Sequence, residues 1–221
     1  MGMTTALYEQ LLAFTTGLLL LTAILQVWGR SLRRAIILLA VQGTALAGLA
    51  LTVGLRAGEP EAPLVAALVL VVKAIAMPWA MARTADLIGV RRERGANVST
   101  AVELIGAAAL TLVAYAVSGP LMGTSPDDEA RAVPVGLSLV LLGFWHLLTR
   151  QSAVTQLVGF LLLDNGIAAI AFLTSGGLPI VIELGVSLDV LLVVLILGVL
   201  VVRMQRLQGH TDITELKELH D

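Results

Sequence analysis

Cysteine is missing from all 221 residues. Its absence excludes a disulfide framework and any zinc or iron–sulfur centre held by thiolates. Charge is scarce as well: Asp, Glu, Lys and Arg make up 14% of the chain, against roughly 25% in soluble domains. The charges nearly cancel, at −2 net, so no basic excess points to nucleic acid. The sequence has no Gly-rich phosphate loop, no metal-ligand spacing and no nucleophile–base motif. Chemistry on a soluble substrate is therefore not expected, and no catalytic residue, metal or cofactor is assigned to this chain.

Apolar residues fill the space that charge leaves. They account for 57% of the chain, and mean hydropathy is +0.93. At about 20 residues per span, six to eight transmembrane helices fit the length. The apolar runs predict seven spans, at roughly 6–28, 35–55, 62–82, 100–123, 133–150, 152–174 and 178–202. Helix is the expected state, because a lipid-facing backbone must satisfy its own hydrogen bonds and strand alternation is missing. The predicted class is an all-α polytopic membrane protein. It has a seven-helix domain over 1–206 and a polar cytoplasmic tail over 207–221. The first residues, Met1-Gly2-Met3-Thr4-Thr5-Ala6-Leu7-Tyr8-Glu9, lack a basic leader and read as the start of the first helix.

Basic residues predict the orientation. Arg30, Arg33 and Arg34 follow the first run, and Arg83, Arg91, Arg92 and Arg94 follow the third. Arg150 follows the fifth, and Arg203, Arg206 and Lys217 follow the seventh. The intervening loops carry only Arg56 and Arg131, beside Glu59, Glu61, Asp127, Asp128 and Glu129. The alternation places the N-terminus outside and the C-terminus in the cytoplasm, and an even number of spans would spoil it. Trp28, Trp79 and Trp145 fall near predicted cytoplasmic helix ends, where an interfacial aromatic belt would sit. In the tail, Asp212 and Glu215 suggest a capped helix start with a narrow Ile213 and Leu216 stripe, suited to docking on a partner subunit.

The most informative residues are ionisable groups inside these runs. Lys73 lies midway along the third span, Asp164 midway along the sixth, and Asp189 midway along the seventh. At ~1.5 Å per residue each falls near the centre of a ~30 Å hydrocarbon core. Glu183 lies about six residues before Asp189, hence ~9 Å nearer the outer face and ~120° around the helix. Hydrocarbon penalises each ionised group by about 3 kcal/mol. Burial and like-charge repulsion both disfavour full ionisation of three acids beside one lysine. At least one acid is therefore expected to hold a proton at neutral pH, and the set can pass protons. The bland alternative is a Lys–Asp pair that only fixes helix packing.

Supporting groups are fewer. Pro78, five residues after Lys73, removes an N–H and clashes with the carbonyl of Ala74. It predicts either a tolerated membrane proline or a kink that frees a carbonyl beside Lys73. Gln42 reads as an interhelical hydrogen-bond partner, and Asn165 as a donor to the neighbouring Asp164. His146 reads as an interfacial side chain and Glu103 as a solvated one.

Val71-Val72-Lys73-Ala74-Ile75-Ala76-Met77-Pro78 resembles the Lys…Pro helix of the hydrogenase-4 component E family. So do Leu148-Thr149-Arg150-Gln151 through Gly159, Asp164-Asn165-Gly166, the run Val181 to Asp189, and the polar tail after Gly209. That family supplies membrane subunits of formate hydrogenlyase and group 4 [NiFe]-hydrogenase complexes. These complexes are related to complex I and to multisubunit cation/proton antiporters. The last three spans, about 133–203, are also similar to the complex I K subunit through Thr149-Arg150, Gly159 and Asn165. The resemblance implies a non-catalytic subunit in a bacterial or archaeal inner membrane. Its partners would be antiporter-like and hydrogenase subunits that carry the redox centres, and Lys73, Asp164, Glu183 and Asp189 would line a proton path. Two positions depart from the pattern. Asp164 stands where the family has Glu, which shortens the reach by ~1.5 Å and suggests a water link. The K-subunit acid aligns instead with Leu161, and His146 lies outside the pattern. The alternatives are a cation/proton antiporter subunit, an independent secondary transporter and a structural anchor.

Overall fold

The computed structural model describes residues 4–29, 31–88, 99–119, 127–150 and 152–175. Among these residues every regular element is a helix. α1 spans Thr5–Trp28, α2 Leu32–Ala57, α3 Ala62–Val69 and α4 Met77–Ile88, with a π-helical segment over Leu70–Ala76 joining α3 to α4. α5 spans Thr100–Val117, α6 Asp128–Thr149 and α7 Ala153–Ser175. Six of the helical runs, counting 62–86 as one, are long and apolar enough to cross a membrane. This supports a multi-pass membrane protein. The predicted seventh span, with Glu183 and Asp189, and the polar tail with Asp212 and Glu215 lie outside the described residues.

Local chemistry explains where the helices start. Thr4, Ser99 and Asp127 cap α1, α5 and α6 by accepting from the N–H three residues on. The Asp127 cap, with Asp128 and Glu129 in the first turn, starts α6 five residues before the predicted 133. Acids are favourable at a helix N-terminus, so the charged segment winds into the helix even though it is not apolar. The fourth span is shorter than the predicted 100–123: α5 ends at Val117.

Glycines set the tightest contact, between α6 and α7. A Cβ on Gly143 would meet Leu163 N at 2.6 Å and Gly159 O at 2.8 Å. One on Gly166 would meet Val140 N at 2.7 Å and Gly136 O at 2.8 Å. Gly136 and Gly143 therefore face Gly166 and Gly159, seven residues apart on both helices. Small residues let backbones approach when lipid supplies no hydrophobic drive between helices, and the seven-residue interval keeps one seam in register. This antiparallel register places Asp164 level with Ser138 and His146 level with Gln156.

Two apolar clusters form around this pair. One gathers Leu19, Leu46, Leu49, Val69, Leu139 and Leu162. The other gathers Leu32, Leu39, Val72, Met81, Val158 and Leu161. Val69 and Val72, like Leu161 and Leu162, divide between the two clusters, so Lys73 and Asp164 emerge where the clusters adjoin.

Candidate functional site

The third span changes helix type at the residue that carries its charge. Leu70–Ala76 is π-helical, and Met77 N–H bonds to the Val72 carbonyl, one residue wider than an α turn. Pro78 follows immediately and has no N–H to continue the α pattern. Widening the preceding turn is a known way to absorb such a break, and π segments concentrate at functional sites. The segment also sits hard against α2. A Cβ on Gly43 would lie 2.6 Å from Lys73 C and 2.7 Å from Lys73 O, so only glycine lets the two backbones approach this closely.

Lys73 and Asp164 form a direct ion pair. Nζ donates to Asp164 Oδ2 at 2.7 Å, with the side chains 1% and 6% exposed. The expected water link for the shorter Asp is not needed here, because Lys73 Nζ itself reaches the carboxylate. Desolvating both charges is expensive, and only good geometry compensates for it.

Asn165 does not serve Asp164 as expected. Successive helical residues point about 100° apart, and Asn165 Nδ2 donates to Gln42 Oε1 at 2.9 Å. Gln42 Nε2 in turn donates to the Leu19 carbonyl at 3.4 Å. Both amides are buried, so Gln42 is the interhelical partner the sequence suggested, bridging α1, α2 and α7. The structure thus brings together Lys73, Asp164, Asn165 and Gln42, with Pro78 just beyond the π segment.

A second charged pair was misread in the sequence. Glu103, expected in water, is 0% exposed, and Arg150 is 3% exposed. Arg150 Nη2 lies 3.6 Å from Glu103 Oε1 and donates to the carbonyls of Val27 at 2.9 Å and Gly29 at 3.2 Å. His146 is not interfacial either: it is buried at 3% exposure on the inner face of α6. Trp145 is half-buried rather than belt-like, because Gly106 leaves room for its ring, 2.7 Å from where a Cβ would stand. Trp28 and Trp79 do face outward. All the buried groups of this cluster stand at one end of the bundle, where α1 and α6 finish and α5 begins. Charges at helix ends read as solvated by default, and only the packing of α5 on α6 reveals otherwise. Gln26, fully buried on α1, was missed altogether. It stands near the end of α1, about two helical turns from Leu19, where an amide reads as solvated.

At the other end, Tyr8 donates its hydroxyl to Glu129, and Arg56 lies over the Tyr8 ring at 5.3 Å from its centroid. These contacts tie α1, α2 and α6 together.

No protein-family model matches the chain, and no solved structure does. The protein named Uncharacterized protein Rv0085 of Mycobacterium tuberculosis is 41% identical over 220 residues, covering 99% of this chain and 100% of that one. Hydrogenase-4 component E of Escherichia coli K12 is 23% identical over 203 residues, covering 92% of this chain and 94% of that one. The Shigella flexneri protein of the same name matches with the same figures. The chain accordingly belongs to the family of the mycobacterial protein Rv0085 and is a distant homologue of hydrogenase-4 component E.

Proposed function

We propose that the chain is a non-catalytic membrane subunit of a hydrogenase-type complex of the formate hydrogenlyase class, and that Lys73 and Asp164 belong to a proton path through it. The observation that carries this reading is the buried 2.7 Å pair joining the third and sixth spans, in a chain homologous to hydrogenase-4 component E along 92% of its length. A purely structural contact does not require charge, since apolar packing of similar volume is often as stable. Ionisable groups kept at mid-membrane against that penalty mark ion and proton routes.

In this reading a proton moves along hydrated links between carboxylates, and the lysine holds the countercharge. When Asp164 takes up a proton, its attraction for Lys73 falls and the pair loosens; when the proton leaves, the pair closes. Glu183 and Asp189 of the predicted seventh span extend the path, with His146, Gln42 and Asn165 as supporting groups. The π turn before Pro78 supplies a helix segment whose backbone pattern can shift with the lysine. The basic residues give the orientation, with the N-terminus outside and the C-terminus cytoplasmic in the inner membrane. Antiporter-like and hydrogenase subunits are the partners, and the metal centres belong to them.

Purification of the native complex through a tag on this chain, with mass spectrometry of its companions, tests the reading. Hydrogenase large and small subunits together with antiporter-like subunits are expected. Antiporter-like subunits alone would transfer the chain to a cation/proton antiporter, and no companions at all would contradict the subunit assignment.

A further inference from the structure

Among the described residues, the buried polar atoms with no hydrogen-bond partner gather at one end of the bundle. Gln26 lacks a partner on both Nε2 and Oε1, Trp145 on Nε1, and His146 on Nδ1. Gln26 is 0% and His146 3% exposed. Leaving such atoms bare costs about 1–3 kcal/mol each, and buried water normally satisfies them. A small cavity adjoins the His146 side of this place, though Gln26 and Trp145 do not line it. It is lined by Gly29, Ser31, His146, Arg150 and Thr155 among others, and its ~10 Å³ of free space is about what one water needs.

The helix registers give the depth of this place relative to the ion pair. Gln42 meets Leu19 on α1 and Asn165 on α7, so those residues share the level of Asp164. Gln26 lies about seven residues farther along α1, hence ~10 Å. His146 lies about eight residues beyond Ser138, hence ~12 Å in the same direction. Buried Thr22 stands between Leu19 and Gln26 on the same face of α1; its hydroxyl donates to Leu18 O at 2.8 Å and Leu19 O at 2.9 Å, and its lone pairs can still accept. Three or four waters at ~2.8 Å spacing span that interval.

We propose that Gln26 and His146, with the Glu103–Arg150 pair beside them, form a water-holding vestibule that connects this end of the bundle to the Lys73–Asp164 pair. The ligand is water itself: it accepts from Gln26 Nε2 and donates to Gln26 Oε1, while His146 Nδ1 and Thr22 Oγ1 extend the chain inward. Arg150, held on the Val27 and Gly29 carbonyls, keeps the end of α1 beside α6 and so fixes the width of the opening. A proton enters as an extra proton on this water chain and leaves to Asp164, with no covalent chemistry on the protein in between. The assignment deepens the proton-path reading and rests on it for the connection, though not for the water.

Radiolytic hydroxyl-radical footprinting of the intact purified complex reads the water directly, because radicals form where water is bound. Met81, 1% exposed within the second apolar cluster, is the dry control. Its thioether is readily oxidised, so faster modification of His146 than of Met81 signals water at the histidine. We expect His146 to be modified several-fold faster than Met81, and Gln26→Leu to reduce that rate several-fold. A wild-type His146 as protected as Met81 overturns the vestibule without any variant. The connection is read as protons moved per hydrogen molecule turned over in proteoliposomes, where Gln26→Leu should lower the ratio several-fold. An unchanged ratio, in a complex whose ratio Lys73→Leu does lower, overturns the connection. Ratios unchanged in both variants mean that the Lys73–Asp164 path has failed, and the vestibule is then decided by the footprint alone.

Discussion

Two buried ion pairs in this bundle behave differently. Lys73 and Asp164 approach to 2.7 Å between two mid-span helices, each carrying a single charge in a long apolar run. Arg150 and Glu103 stand 3.6 Å apart where three helices end, and the arginine divides its donors between the carboxylate and two main-chain carbonyls. The first pair is a direct contact between side chains. The second is a clasp that also satisfies the end of α1, whose last carbonyls have no helical partner. In the proposed function the charge at mid-span serves ion movement, while charge at a helix end can serve architecture even when it is fully buried.

Removing one member of each pair separates them most sharply. Lys73→Leu leaves a buried carboxylate alone and should destabilise the protein by about 3–5 kcal/mol, whereas Lys73→Leu with Asp164→Leu should restore most of the loss. Thermal unfolding of the purified complex measures both, and equal stability of the single and double variants would deny the pairing. Arg150→Met should cost about as much, ~3–5 kcal/mol, because it removes the cation beside the buried Glu103 carboxylate as well as the charge-assisted bonds to Val27 and Gly29. Adding Glu103→Gln should recover the part that belongs to the carboxylate and leave the part that belongs to the carbonyl bonds; full recovery would show a pair of the Lys73 kind.

Packing and amide substitutions sharpen the contrast further. Gly143→Ala forces a methyl group within 2.8 Å of the α7 backbone and should cost about 1–3 kcal/mol by overpacking. It should also weaken proton movement more than Arg150→Met does, because α7 carries Asp164. The smallest effect belongs to the amide bridge. A double-mutant cycle of Asn165→Ala and Gln42→Ala should give a coupling of about 0.6 kcal/mol, the usual size for a hydrogen bond between membrane helices. A coupling near zero would remove the bridge from the account.

Much of this was legible in the chain itself. Six spans are visible as apolar runs because the ~30 Å core demands their length, and Lys73 and Asp164 stand out because an ionised group is costly in hydrocarbon. Gln42 was legible as a lone amide in the second run. The Asn165 partner was not, because adjacency in sequence is not adjacency around a helix. The π turn was visible only as a proline, since a kink and a widened turn answer the same missing N–H. Glu103, Arg150 and Gln26 were illegible for a different reason. Residues one turn from a helix end are solvated in one packing and buried in another, and only the placement of α5 against α1 and α6 decides which.

The most direct test of the central claim is the number of protons moved per hydrogen molecule turned over, measured in proteoliposomes holding the whole complex, for wild type and Asp164→Asn. The substitution keeps the shape and a hydrogen-bond partner for Lys73 but cannot exchange a proton. A path through the Lys73–Asp164 pair predicts a several-fold fall in that ratio while hydrogen turnover continues. An unchanged ratio in a fully assembled complex would contradict it and leave the pair as packing alone.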